Sequence, residues 1–190
     1  MGINTRGGIS VKIKSIMLLI SFVVVMSLLA SCSPASTTTT QVDVIASASV
    51  VDNAADFEKA ISSDGTWIIA ITKDLTIDKE LVVDGDFKNG RTDTAGNDVL
   101  QRKIALYTQD ADRNITARFT LTVKKMTIKS ANASIQHGTF KGDLYVDVKD
   151  FQLIDATVDG NVYFLNEEVK SSFTMDETSK VTGVQEIKAN

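Results

Sequence analysis

The sequence predicts an all-β solenoid with one short helix at its N-terminal end. Three observations point there. Short β-branched or aromatic runs fill the chain after Gly65, separated by Gly, Asp, Asn and Lys. No proline interrupts them, because the only proline is Pro34. A glycine-centred motif recurs, with Gly142 and Gly160 18 residues apart and Gly160 and Gly183 23 apart.

The chain of 190 residues opens with a leader. Arg6, Lys12 and Lys14 form a basic stretch with no acidic residue before them, and residues 17–30, MLLISFVVVMSLLA, are an apolar run ending in small residues. That is the layout of a secretory signal, shorter than the ~20 apolar residues a spanning helix needs. The run closes on Leu29-Ala30-Ser31-Cys32. These four residues resemble the bacterial lipobox. The resemblance implies a signal peptide over 1–31 and a mature lipoprotein whose Cys32 carries diacylglycerol and palmitate-type acyl chains. Such chains make a membrane anchor at about 0.8 kcal/mol per buried methylene. The alternative is an ordinary cleaved signal with an incidental cysteine. Ser33 after the cysteine, rather than aspartate, fits outer-membrane sorting.

Loss of the leader removes three of the 20 basic residues and none of the 24 acidic ones, so the net charge moves from −4 to −7. A surface so acidic is repelled by anionic headgroups. Residues 32–44, with Pro34 and four consecutive threonines, have too little apolar surface to pack and read as a tether. The expected domain is 45–190. It begins with a strand-like IASASVV, then a helix over NAADFEKAI. Asn53 serves as N-cap, and Ala54, Phe57, Ala60 and Ile61 form the apolar stripe. Ser62-Ser63-Asp64-Gly65 stops it. This is the only helix the pattern supports, and the absence of others excludes an alternating βαβ fold.

Strand patterns follow: TWIIAIT with Trp67, Ile69 and Ile71 on one face, then DLTIDKELVVDGDF, RKIALYT, ARFTLTVKKMTIKS, ASIQHGTF, GDLYVDV, FQLIDATV and GNVYFL. Residues 88–101 read as a long polar loop. The motif Phe140-Lys141-Gly142-Asp143-Leu144 matches Val158-Asp159-Gly160-Asn161-Val162, with Val83-Asp84-Gly85-Asp86-Phe87 and Val181-Thr182-Gly183 as further copies. An apolar element precedes each glycine: Leu75-Thr76-Ile77, Met126-Thr127-Ile128, Phe151-Gln152-Leu153 and Phe173-Thr174-Met175. Two β elements per turn with glycine at a corner writes a coil, and at ~19 residues per turn the domain holds about seven coils. A capping helix, a strand and then coil after coil resemble the right-handed parallel β-helix of the pectate-lyase-like type. Bactofilin-like polymerising β-helices share the Val-x-Gly-x-Val texture, usually without a lipobox. The competing architecture is an antiparallel sandwich or meander.

The chemistry is narrowed mainly by exclusion. One cysteine and one histidine leave too few soft ligands for a usual zinc centre and no disulfide framework. The acidic balance argues against a nucleic-acid groove. The Trp-Ile-Asp-His and Arg-x-Pro-x-x-Arg runs of pectate lyases are absent, and His137 in Gln136-His137-Gly138 matches a polygalacturonase Gly-His-Gly poorly. Asp143, Asp147, Asp155 and Asp159 are carboxylate candidates for glycosidic acid/base work, but aspartates at turns usually cap them. Asp110, Asp112 and Asn114 offer calcium-type oxygens without an EF-hand's glycine and glutamate. Lys124, Lys125 and Lys129 read as a solvated face. Alternation places Asp143 and Tyr145 outside one coil, and Asn161 and Tyr163 outside the next. Stacked tyrosines beside a carboxylate and an amide suit a sugar ring; the plainer reading is that tyrosine favours strands. The expected function is therefore a non-catalytic surface lipoprotein of the cell envelope, outside the cytoplasm, binding a glycan or another envelope component. It uses no cofactor and no nucleic acid, and Tyr145, Tyr163, Asp143 and Asn161 are the candidate ligand residues. The alternatives are a self-stacking or partner-binding assembly protein and, behind it, a minimal polysaccharide lyase or hydrolase.

Overall fold

The computed structural model describes residues 48–188. The expected signal peptide (1–31), the tether (32–44) and Cys32 with its motif lie outside the described residues.

The described chain is mostly β and alternates between two parallel sheets. The first sheet orders β1 (Ala48–Val51), β2 (Ile68–Ile71), β6 (Arg102–Ala105), β10 (Ala133–Gln136), β12 (Gln152–Ile154) and β15 (Thr174–Met175). The second stacks β3 (Leu75–Val83), β9 (Thr120–Ile128) and β11 (Thr139–Val146). Below these come β13 (Thr157–Asp159) with β14 (Val162–Phe164), then β16 (Lys180–Val181) with β17 (Gln185–Ile187). Two antiparallel hairpins stand apart, β4 (Lys88–Thr92) with β5 (Asp98–Leu100) and β7 (Tyr107–Gln109) with β8 (Ile115–Arg118). There are thus six levels in one sheet and five in the other, where about seven coils are expected. Much of the difference is the chain diverted into the hairpins. Residues 88–101 are one of them, not a loop.

Period-two alternation sets the register. In the first sheet Ile69, Ile104, Ile135 and Leu153 pair in succession and are buried. In the second, Leu75, Leu121, Phe140 and Val158 form one buried column and Val83, Ile128, Val146 and Phe164 another. Both sheets feed one apolar cluster. A one-residue slip would turn a whole column to solvent, so the pattern fixes the pairing. Trp67, expected in this column, is half-buried just ahead of β2.

The first helix, α1 (Ala54–Ala60), matches its sequence signals. The Asn53 side chain accepts from the Asp56 N–H at 3.0 Å, and Phe57, Ala60 and Ile61 are buried. A second helix, α2 (Glu167–Ser172), departs from the one-helix expectation. Asn166 caps it by accepting from the Val169 N–H at 2.9 Å, and Val169 is its one buried residue. Arg102 shares the inward side of β6 with Ile104 and is fully buried. It donates from Nη2 to the carbonyls of Ala60 at 2.7 Å and Ser62 at 3.0 Å, tying the C-terminal end of α1 to the sheet. Its guanidinium lies 3.9 Å from the Phe87 ring centroid. Burial pushes its pKa down to about 10, against the opposing charge of Asp84.

The left-handed positions flanking β10 and β12 are not glycines, although Gly138 follows His137 at one of these corners. Asn132 and Asp150 precede first-sheet segments and His137 and Asp155 follow them, with φ of 48°, 60°, 59° and 49°. Asn, Asp and His are the non-glycine types most often found there. Gly142 and Gly160 do stack with matching positive φ, 138° and 155°, but inside the second sheet. Gly142 sits at the register shift of β11, and Gly160 sits between β13 and β14. A Cβ on Gly160 would strike the Gly142 carbonyl, and Gly183 N–H donates to Gly160 O at 2.9 Å. Gly85 is no member of this column. It follows the far end of β3, where Val83 pairs with Ile128. Of the four apolar elements, Phe151–Leu153 and Phe173–Met175 stack in the first sheet, through Gln152 on Thr174 and Leu153 on Met175. Leu75–Ile77 and Met126–Ile128 belong to the second.

Candidate functional site

The four expected ligand residues come together on the outer face of the second sheet. Parallel pairing of β11 with β14 sets Tyr145 beside Tyr163, with ring centroids 4.9 Å apart and planes tilted by 44°. Asn161 donates from Nδ2 to Asp143 Oδ1 at 2.9 Å, and its own Oδ1 accepts from the Val184 N–H at 3.0 Å. The level before adds Lys125, paired with Asp143 in register and with Glu80 through an ion pair at 3.6 Å. Its ammonium lies 4.6 Å from the Tyr145 centroid. Lys188 lies 4.4 Å from the Tyr163 centroid and 5.6 Å from that of Tyr145. A hydrogen bond to Tyr145, with electrostatic attraction to Tyr145, Tyr163 and Asp143, holds the Lys188 ammonium above its ordinary range. Tyr145 is thereby covered to 9% exposure, while Tyr163 stays half-exposed. The two lysines that lie over the rings were no part of the sequence reading of this site.

A second polar group lies at the corner between the sheets. His137 Nδ1 is 3.0 Å from Asp155 Oδ2, and Arg118 makes an ion pair with the same oxygen. The Tyr107 ring meets the His137 ring edge-on at 4.5 Å, and Lys103 Nζ donates to the Tyr107 hydroxyl at 2.7 Å. His137 first, then Arg118, holds the Asp155 carboxyl below its ordinary range. Tyr107 and Arg118 pair at the base of the β7–β8 hairpin, so the network clamps that hairpin to the stack. The signal for it was in the sequence, because His137 and Asp155 are 18 residues apart, the same spacing as Gly142 and Gly160.

No protein-family model, curated protein or solved structure matches the chain. Its chemistry is read from its own geometry. Among the carboxylate candidates, Asp143 is engaged by Asn161, Asp155 by His137 and Arg118, and Asp159 by Lys141 at 3.7 Å and Thr182. Asp110 accepts from the backbone N–H groups of Asp112 and Asn114 and from Asn114 Nδ2, which closes a hairpin turn. Asp93 closes the other hairpin in the same way through Ala95 and Asn97. Among the described residues no group of His, Cys, Asp and Glu is placed to hold a metal ion. Lys124 pairs with Asp78 at 2.6 Å and Lys125 with Glu80, so these lysines sit in ladders of alternating charge.

Proposed function

We propose that the chain is a non-catalytic surface lipoprotein, anchored to a membrane through Cys32, whose described part winds as a right-handed parallel β-helix and binds an envelope glycan. The alternation between two parallel sheets supports the winding, and the Leu29-Ala30-Ser31-Cys32 run supports the anchor. The observation that carries the binding reading is the in-register pair Tyr145 and Tyr163 beside the hydrogen-bonded Asp143 and Asn161. Asp143, Tyr145 and Tyr163 ride on paired strands, and Asn161, just ahead of β14, is held by Asp143 and the Val184 N–H, so their spacing is fixed before any ligand arrives and little ordering cost remains. The exposed part of the Tyr163 ring offers an apolar surface to a sugar, with polar groups one residue pair away.

The experiment is a polysaccharide pull-down with the membrane-extracted chain and its Tyr163→Ala variant. Retention that falls with the variant is expected. No retention of the parent chain on any envelope polymer would end the glycan reading. The anchor is tested separately by acyl labelling of a Cys32→Ala variant, where labelling and membrane partitioning should both disappear.

A further inference from the structure

The two tyrosines on the outer face of the second sheet already hold ammonium groups. Lys188 Nζ lies 4.4 Å from the Tyr163 ring centroid and 5.6 Å from that of Tyr145, and Lys125 Nζ lies 4.6 Å from Tyr145. Both rings are thus within cation–π reach of the same Lys188 ammonium. Carboxylates stand around it. Asp143 attracts the Lys188 ammonium, Glu186 pairs in register with Tyr163 and so shares its face, and Glu80 holds Lys125 at 3.6 Å. Lys129 and Asp147, just past β9 and β11, add one charge of each sign. The two lysines over the rings differ in how firmly they are held. Lys125 rides in the middle of β9, half-buried and ion-paired. Lys188 follows the three-residue β17 and is exposed, and among the described residues it makes no ion pair with a carboxylate.

We infer that the position taken by the Lys188 ammonium is a binding site for the ammonium of an amino sugar, with Lys188 standing in it until the ligand displaces it. The inference rests on the glycan reading of this face and names the sugar: one whose amine is free rather than N-acetylated. Charge decides the sign. Three carboxylates, of Asp143, Glu80 and Glu186, face two ammoniums, and only the one of Lys125 once Lys188 swings out. An acidic sugar would enter against that excess, whereas a cation is drawn in. The position also favours an amine in its charged form. The Lys188 ammonium is held above its ordinary range first by its hydrogen bond to Tyr145, then by attraction to Tyr145, Tyr163 and Asp143. Displacement swaps one ammonium for another, so the charge of the site is kept. The sugar adds a ring face to lie on Tyr163, which a lysine stem does not match. A neutral N-acetyl sugar would lie on Tyr163 but bring no cation to the rings.

The test measures binding of the membrane-extracted full chain to glucosamine oligomers and to N-acetylated oligomers of the same length, at mildly acidic pH where the free amine is charged. The amino oligomer should bind about 2–30-fold more tightly, the range that a cation–π contact supplies, and added salt should erode the preference. Lys188→Ala should tighten binding of the amino oligomer by removing its competitor, and Glu186→Gln should weaken it, both with the β signal in circular dichroism unchanged. Equal affinity for the two oligomers, or a preference for a galacturonate oligomer, would overturn the inference and leave the glycan reading standing. Binding of no oligomer would end both, and binding of polylysine alone would assign the amine to a protein partner and overturn the inference. Weaker binding of the amino oligomer by Lys188→Ala would make Lys188 a contact of the ligand rather than its stand-in, and overturn the inference as well.

Discussion

Replacing Gly160 by alanine should destabilise the chain by about 2–6 kcal/mol, and the figure follows from two separable effects. The first is local. At φ of 155° the backbone occupies a region nearly reserved for glycine, and a side chain there costs about 1–3 kcal/mol. The second is between levels. The new Cβ would lie 2.7 Å from the carbonyl carbon of Gly142 and inside contact with its oxygen. Backbone cannot swing aside as a side chain can, so the two levels must part. That strains Leu144 N–H to Asn161 O between these levels, and the shift of Gly160 strains its own bond from Gly183 N–H on the following level, both 2.9 Å, at about 0.5–1.5 kcal/mol each. Gly96 is the control. Its φ is also positive, 86°, but a Cβ there meets nothing within 4 Å, so alanine costs only the local ~1–2 kcal/mol. The costs differ by about 1–4 kcal/mol, so thermal melts of the two variants should differ by roughly 2–16 °C, at about 2–4 °C per kcal/mol for a chain of this size. Equal melting temperatures would refute the stacked-glycine account and the register of β11 on β13 and β14 with it.

Phe151→Ala or Leu153→Ala should cost about 2–5 kcal/mol in urea melts, because both are buried in the first-sheet column, whereas Lys170→Ala should lie within about 0.5 kcal/mol of the parent. Asn166→Ala removes the cap of α2 and should cost about 0.5–2 kcal/mol; no change would show that the helix end is held by Val169 alone. Asp155→Asn should flatten the acid limb of the stability curve. The Asp155 carboxyl is held below its ordinary 3.8 by His137 and then Arg118, so between that value and the folded one the unfolded chain binds more protons. The contribution is complete above about pH 4 and drains away as pH falls through the folded value. Stability measured across this range should fall less steeply in the variant, and an unchanged slope would detach Asp155 from the clamp.

Much of the architecture was legible because two periodicities coincide. Alternation by two gave the faces, and the 18-residue spacing gave the stacking of Tyr145 on Tyr163 and Gly142 on Gly160. The same spacing joins His137 to Asp155, yet that pair was hidden because each residue alone reads as an ordinary turn residue. Gly85 misled for the opposite reason: its neighbours imitate the motif, but β3 carries nine residues in one strand and the glycine falls beyond its end. The β4–β5 hairpin was illegible since KNGRT has no apolar member to alternate. The second helix was missed because a six-residue element with one buried side chain leaves no stripe. The corners were expected as glycine, and at the left-handed positions flanking β10 and β12 the chain uses Asn, Asp and His instead, which keep side chains where the sheets meet.

The direction of the ladders has a mechanical consequence. Every level holds its neighbours by backbone hydrogen bonds that lie in the sheet and across the strands, hence along the direction of stacking. A pull on Lys188 along the stack and away from α1 would load those bonds in tension one level at a time, beginning with β17 and β16 and then β15, which pair through three, two and two residues. The longer pairings of β11 with β9 and β9 with β3, seven residues each, would be reached last. The described stack is thus graded in resistance, yielding first at β15–β17 while the levels nearest α1 stay assembled.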